Sequence, residues 1–183
     1  MQKKRGLVFL SLLAVPVLVV MGQHHRQPSP SASQDSNNIK SLSAAETEGY
    51  LNGRGMGLAR AAELNSYPGP MHVLELATPL ELTEQQRTAT QQAFERMRDA
   101  AVRLGRDIVA KERDLNNLFA SSRADQTTLQ RLTGEIAALQ GELRLTHLRA
   151  HLEMKRVLSP TQINRYDELR GYRTAMTQSG RGK

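Results

Sequence analysis

The 183-residue sequence contains no cysteine and no tryptophan, and aromatic residues make up only 4% of it. The absence of cysteine excludes disulfides, thiol catalysis, thiolate zinc sites and lipid attachment at a cysteine. Strands are disfavoured because aromatic and β-branched residues are few, whereas the abundant Leu, Ala, Arg, Gln and Glu favour helices. The composition therefore predicts an all-α protein.

The formal net charge of +7 is concentrated near the two ends of the chain, at residues 3–5 and 173–183. No basic stripe alternates with stacking aromatic residues, so nucleic-acid binding is not expected. The sequence also lacks a nucleophile elbow, a phosphate-binding loop and any local signature of a catalytic triad. We therefore expect a binding protein and not an enzyme.

Residues 1–22 have the form of an export signal, with basic residues at 3–5 followed by an apolar run over 7–21. As a helix this run would span roughly 23 Å, which is shorter than the ~30 Å hydrocarbon core of a bilayer. Two alternatives follow: a cleaved signal peptide, with the mature chain starting at Gln23, or an uncleaved anchor in the inner membrane. Both alternatives predict a periplasmic protein.

Residues 23–43 are rich in Ser, Gln, Asn and Pro, and they should form a disordered tether because they contain little apolar surface to bury. A helical domain is predicted over 44–176, followed by a flexible tail at 177–183. Within the domain, we expect a weak helix near Met56 to Leu64. A short helix over 71–77 should follow, with Met71 and Leu74 facing the core.

A long helical hairpin is predicted next. Thr83 and Gln86 form a capping box, preceded by Leu82, and the helix should run from Glu84 to Phe119. Its apolar positions recur in steps of three and four, at Phe94, Met97, Ala101, Leu104, Ile108, Leu115 and Leu118. The opposite face carries Arg96, Arg103, Arg106 and Glu112.

A second helix should start after Asp125 and run to Val157, with its seam at Leu129, Leu132, Ile136, Leu139 and Leu143. The short connection predicts an antiparallel pair.

The second hairpin helix becomes apolar on two faces near its end. One face contains Leu143, His147, Ala150 and Met154, and the other contains Leu145, Leu148 and Leu152. A helix of this kind needs two partners, and the second one is either the last helix or a second subunit. Ser159 and Gln162 repeat the capping box with Pro160 at N1, which predicts a final helix from Pro160 to Met176 packing through Ile163 and Tyr166.

The segments Leu82-Thr83-Glu84-Gln85-Gln86 and Leu158-Ser159-Pro160-Thr161-Gln162 both fit the pattern L-[ST]-x-x-Q. This pair resembles the motifs of the Spy/CpxP family of periplasmic proteins, over roughly residues 68–173. The resemblance implies an all-α, four-helix hooked antiparallel hairpin that dimerises into a cradle. It also implies an ATP-independent chaperone or envelope-stress adaptor that binds unfolded or partner proteins without a cofactor. The alternatives are a periplasmic heavy-metal sensor or resistance protein and a structural coiled-coil tether.

A metal site is the second hypothesis for the chemistry. His147 and His151 lie four residues apart on one helix and Met154 three further on, a spacing that can direct two imidazoles at one ion. His72 and Glu75 would join them if the short first helix crossed the open end of the hairpin, a set that resembles the metal-sensor branch of the family. Such ligands suit Ni, Co, Cu or Zn. The alternative is packing, with His147 in the seam, His151 on a partly exposed flank and Met154 as a core residue.

Overall fold

The computed structural model describes residues 39–172, and this part of the chain is helical without strands. Two long helices, α4 (Glu84–Ala120) and α5 (Gln126–Val157), pack against each other and are joined by residues 121–125, so the predicted antiparallel hairpin is confirmed. Residues 39–172 contain six helices, where the family resemblance implied four. They are α1 (Ala44–Leu51), α2 (Arg60–Glu63), α3 (Pro70–Glu75), α4 (Glu84–Ala120), α5 (Gln126–Val157) and α6 (Pro160–Leu169).

Both predicted capping boxes are present at the starts of α4 and α6. Thr83 Oγ1 accepts a hydrogen bond from the Gln86 amide at 3.2 Å, and Gln86 Oε1 accepts from the Thr83 amide at 3.1 Å. Ser159 and Gln162 form the same pair of bonds, at 3.2 and 2.9 Å. Each box satisfies two amides that the first turn of a helix leaves without an intrahelical partner. The start positions of these helices are therefore determined locally.

The middle of the hairpin is held by Ala101, Ile108 and Leu143, all buried, with Leu104 and Leu139 packed beside them. α1 lies against α4 at Gly105, where a Cβ would collide with the backbone carbonyl of Tyr50. A glycine at this point allows the two helix backbones to approach closely. This contact between α1 and α4 places the loop at 52–57, which follows α1, against one side of the hairpin.

A second core closes the open end of the hairpin. It joins residues from α3, the loop after it, α4, α5 and α6: Val73, Leu80, Ala93, Met154, Leu158, Ile163 and Tyr166. The prediction that Met71 faces this core is wrong, because Met71 is 45% exposed while Val73 is fully buried. α3 has fewer than two turns, so its sequence does not distinguish which of its apolar residues are buried. Packing against the hairpin decides this.

The amino-terminal part of the domain differs from the prediction. The expected helix at Met56–Leu64 is replaced by α1, which starts earlier at a third capping box formed by Ser43 and Glu46, and by the single turn of α2. Met56 and Gly57 both have positive φ angles, which interrupt a helix at that point. Ile39 and Leu42 are buried with Val109, so residues 39–43, predicted as part of the disordered tether, belong to the packed domain.

The last helix is shorter than predicted, because it ends at Leu169 and not near Met176. Gly171 has a φ of 73°, and the amides of Gly171 and Tyr172 donate to the carbonyls of Glu168 and Asp167. This is the Schellman arrangement that terminates helices at a left-handed glycine. Residues 173–183 lie outside the described part, as do the predicted export segment 1–22 and residues 23–38.

Two further details concern charge on the hairpin. Glu112 was expected on the exposed face, but it is buried and accepts a hydrogen bond from Ser41 Oγ at 2.8 Å. Lys111, which interrupts the apolar stripe of α4, lies 2.7 Å from Glu135 of α5.

Among residues 39–172, no helix combines the length and apolar character needed to cross a bilayer.

Candidate functional site

An open cavity of about 720 Å³ lies between the hairpin, the loop at 52–57 and helices α2 and α3. Three of the predicted site residues line it: His72 from α3, and His147 and His151 from α5. Gly69 brings the α2–α3 connection close to the hairpin, since a Cβ there would stand 2.9 Å from His151 Cε1. The start of α3 thus lies against His151 of α5.

His147 is buried in the wall of this cavity, with 4% of its surface exposed. Its Nε2 is buried and has no hydrogen-bond partner among the described residues. Burial, and to a smaller extent the neighbouring His151, lowers the pKa of the His147 imidazole below its usual value. The ring is therefore neutral at neutral pH, which is the state of histidine that binds metals.

His151 is oriented by the backbone of the α2–α3 connection. Its Nδ1 lies 2.7 Å from the carbonyl oxygen of Tyr67. Because a carbonyl only accepts, Nδ1 is the donor in this bond, and in the tautomer that makes it the lone pair is on Nε2. Histidine ligands are commonly held in this way. His151 is 7% exposed, so the prediction of a partly exposed flank is wrong; the connection around Tyr67 covers it.

His72 lies between two carboxylates. Its Nδ1 is 2.8 Å from Glu75 Oε2 and its Nε2 is 3.7 Å from Glu63 Oε1. Glu75 is exposed, and within residues 39–172 its carboxylate pairs with His72 alone, whereas Glu63 lines the cavity itself. Of these two acids, Glu63 is thus the one placed to act with the histidines, although it was not among the residues predicted from the sequence.

Glu63 also links the cavity to α6. Its Oε1 accepts hydrogen bonds from Tyr166 Oη at 3.1 Å and from Arg170 Nη2 at 3.3 Å. Burial would raise the pKa of the Glu63 carboxyl, but hydrogen bonds from Tyr172 and Tyr166, with the charges of His72 and Arg170, hold the pKa below its usual value. Glu63 is therefore a carboxylate at neutral pH. No local pattern in the sequence identifies it, because its partners are about 100 residues away.

The remaining predicted ligand, Met154, is fully buried in the core at the open end of the hairpin and does not line the cavity. The methionines that do line it are Met56, Met71 and Met97. The donor types present therefore fit a transition metal. Their positions fit only in part, since within residues 39–172 no three His, Asp or Glu side chains are placed to hold one ion together.

The six motif residues lie at the starts of α4 and α6. Leu82 and Leu158 pack into the core at the open end, while Thr83 and Ser159 cap their helices. The amides of Gln86 and Gln162 hydrogen-bond to each other across the junction of α4 and α6. The motif pair therefore joins two helix starts that are 76 residues apart.

The fold and cavity define an all-helical hairpin protein with a histidine-lined pocket at one side. A family model described as heavy-metal resistance matches residues 51–165, and the chain belongs to this family. The family lies within the Spy/CpxP-like group, so the resemblance carried by the motifs is supported at that broader level. Comparison with curated proteins and with solved structures gave no significant match.

Proposed function

We propose that this protein binds a divalent transition metal at the histidine-lined cavity and acts in the periplasmic response to heavy metals. The observation that carries the proposal is the arrangement of His147 and His151, one helical turn apart on the same cavity wall, with His72 contributed by α3. Membership of the heavy-metal resistance family supports the same conclusion. The export-like segment at 1–22 supports a periplasmic location, either free after cleavage of a signal peptide or attached to the inner membrane by an uncleaved anchor.

The protonation states of the donors also support metal binding. His147 is neutral, His151 keeps its lone pair on Nε2, and Glu63 is ionised. Imidazole and carboxylate donors suit Zn, Ni, Co or Cu. Because three donors do not converge in this conformation, binding requires side-chain rotation, and His72 must exchange its contact with Glu75 for the ion.

A sensing mechanism follows from the contacts of His72. It stands beside Glu63, which is hydrogen-bonded to Tyr166 of α6 and to Arg170 directly after that helix. Movement of His72 changes the electrostatic surroundings of Glu63, and Glu63 joins α2 to α6. Occupancy of the cavity is thereby coupled to the position of the last helix.

The test is a calorimetric titration of the full chain with Zn²⁺, Ni²⁺, Co²⁺ and Cu²⁺. Saturable binding of at least one of these ions is expected for the parent, with loss of that binding in the His147→Ala/His151→Ala variant. The matched control is His24→Ala/His25→Ala, which changes two histidines of the predicted amino-terminal tether and should retain the binding. Equal binding by the parent and the His147→Ala/His151→Ala variant would rule out the proposed site.

A second candidate function is ATP-independent binding of unfolded proteins. It is favoured by the cavity mouth, where Met56 and Met71 are about half exposed beside Arg54, Arg60 and Arg98. Such a mixed apolar and basic surface suits loose binding of unfolded segments. The full chain should then suppress aggregation of denatured clients without ATP, and Met56→Gln/Met71→Gln should weaken this effect while leaving the histidines intact. Failure to protect several unrelated clients would contradict this function.

A further inference from the structure

The cavity that contains the three histidines is far larger than a metal ion. Its volume of about 720 Å³ compares with about 30 Å³ for one water molecule. It falls within the range of roughly 300–1,000 Å³ that is typical of pockets for small organic molecules. Phe94 and Met97 of α4 line it with apolar surface. The cavity therefore has room for an organic ligand beside an ion.

The lining of the cavity carries more positive than negative charge. Among residues 39–172, it includes one carboxylate and three guanidinium groups, those of Glu63, Arg54, Arg60 and Arg98. Glu63 is already paired with Arg170 at 3.3 Å, and Arg54 is paired with Glu48 at 2.7 Å. The charges that remain are those of Arg60 and Arg98.

Arg60, at the start of α2, and Arg98, on α4, are exposed side chains at this cavity. Neither guanidinium forms an ion pair within residues 39–172. Positive charges raise the free energy of a divalent cation bound near them, whereas they stabilise a bound anion. The planar donors of arginine also match the geometry of a carboxylate. These two residues therefore favour a carboxylate ligand over a bare cation.

The protein donors are too few to complete a metal site. His147 and His151 lie one helical turn apart on the same wall, but no third His, Asp or Glu among residues 39–172 is placed to hold the same ion. Even Zn²⁺ takes about four ligands. The remaining coordination positions therefore need donors that come with the ion.

We infer, given the metal binding proposed above, that the cavity takes the metal as an anionic complex with a small polycarboxylate and not as the bare ion. The complex of a divalent ion with a tricarboxylate such as citrate keeps a net negative charge and leaves part of the coordination sphere open. His147 and His151 fill open positions on the ion. Arg60 and Arg98 bind the free carboxylate oxygens. Such a ligand matches the volume, the charge and the number of donors of the cavity.

Three calorimetric titrations of the full chain test this ligand: Ni²⁺ alone, citrate alone, and the preformed equimolar complex of Ni²⁺ with citrate. A chelator that only competes for the ion lowers the apparent affinity of the protein for that ion. Citrate should instead raise the apparent affinity for Ni²⁺ roughly tenfold, because it adds contacts with two arginines. Citrate alone should bind at least roughly tenfold more weakly than the complex. The same titrations are made with Zn²⁺, Co²⁺ and Cu²⁺.

Arg60→Gln/Arg98→Gln should reverse the effect of citrate. In this variant citrate should lower the apparent affinity for the ion, while the bare ion should bind more tightly than it does to the parent, because the repulsion is removed. A purely structural effect would weaken both forms together. The matched control is Arg103→Gln/Arg106→Gln, which changes two exposed arginines of α4 that do not line the cavity and should behave like the parent.

The outcomes separate this inference from the metal site on which it rests. If the parent binds the bare ion and citrate only weakens that binding, the inference is overturned and the metal site stands. Binding of citrate alone as tightly as the complex would also overturn it, since the cavity would then be a site for anions. Absence of binding of all four ions, with and without citrate, would overturn both.

Discussion

Gln86 and Gln162 hydrogen-bond to each other in both directions, with Nε2 of each donating to Oε1 of the other at 2.8 and 2.9 Å. The second proton of each Nε2 goes to a backbone carbonyl, at Val157 for Gln86 and at Leu80 for Gln162. Each Oε1 also accepts from the amide at the start of its own helix. A glutamate would cap the helix equally well but could not donate. The glutamine in each motif is therefore explained by the junction between helices and not by capping alone.

Replacement of Gln86 by Glu tests this junction. The variant keeps the capping box but loses two donated hydrogen bonds and places a carboxylate near two acceptor oxygens. We expect the free energy of unfolding to fall by about 1–3 kcal/mol, measured by urea denaturation monitored by circular dichroism. Gln92→Glu, an exposed change on the same helix, is the control and should change stability little. Equal effects of the two substitutions would contradict the explanation.

The close approach of α1 and α4 predicts a large difference between two helical glycines. Gly105→Ala should destabilise the fold by about 1–3 kcal/mol and increase hydrogen exchange in α1, because its Cβ collides with the Tyr50 backbone. Gly134→Ala has open space around the new methyl group, and alanine should stabilise α5 by about 0.5–1 kcal/mol. The prediction is wrong if Gly105→Ala leaves both stability and exchange unchanged.

Burial of His147 predicts a specific dependence of stability on pH. The pKa of His147 is lowered in the folded state from the ordinary value of 6.5. As the pH falls below 6.5, the unfolded chain binds a proton that the folded chain resists, so stability decreases. The lowered pKa of Glu63 also makes the free energy of unfolding decrease as the pH falls. This decrease starts only near pH 4.5, the ordinary pKa of a glutamate carboxyl. A decrease starting between pH 6.5 and 5 therefore reports on histidine.

Urea denaturation at pH 7.5 and at pH 5.5, in the presence of a chelator, measures this effect. The loss of stability between the two pH values should be smaller in His147→Leu than in the parent, because the variant has no group to protonate at that position. The change between the two pH values is the readout, so a general effect of the substitution on stability does not matter. An unchanged pH dependence would exclude His147 as its source.

The position of His151 predicts an effect of a residue that cannot itself bind a metal. Gly69→Ala would place a methyl group 2.9 Å from His151 Cε1. The methyl group of Gly55→Ala would lie 3.9 Å from His147 Cε1, which is an ordinary van der Waals contact. If the proposed site is correct, Gly69→Ala should weaken metal binding roughly 10- to 100-fold, and Gly55→Ala should have little effect. Calorimetric titration of both variants with the ion bound by the parent provides the comparison.

The parts of the structure that follow from short-range patterns could be predicted from the sequence. The capping boxes at Thr83 and Ser159 and the N-cap at Asp125 involve residues three positions apart, so the starts of α4, α5 and α6 were correctly placed. The burial of His147 on the inner face of α5 was also predicted correctly. A long helix repeats its apolar period many times, so the sequence identifies its buried face.

Short helices and long-range contacts were decided only by the tertiary structure. Val73 replaces Met71 in the core because a short helix does not repeat its pattern often enough to define a face. His151 is buried by the connection around Tyr67, and Glu63 enters the site through Tyr166 and Arg170, contacts that join residues far apart in the chain. The sequence by itself determined the hairpin and its caps, because these depend on neighbours along one helix. The composition of the cavity and the pairing of Gln86 with Gln162 depend on how separate helices meet, which only packing decides.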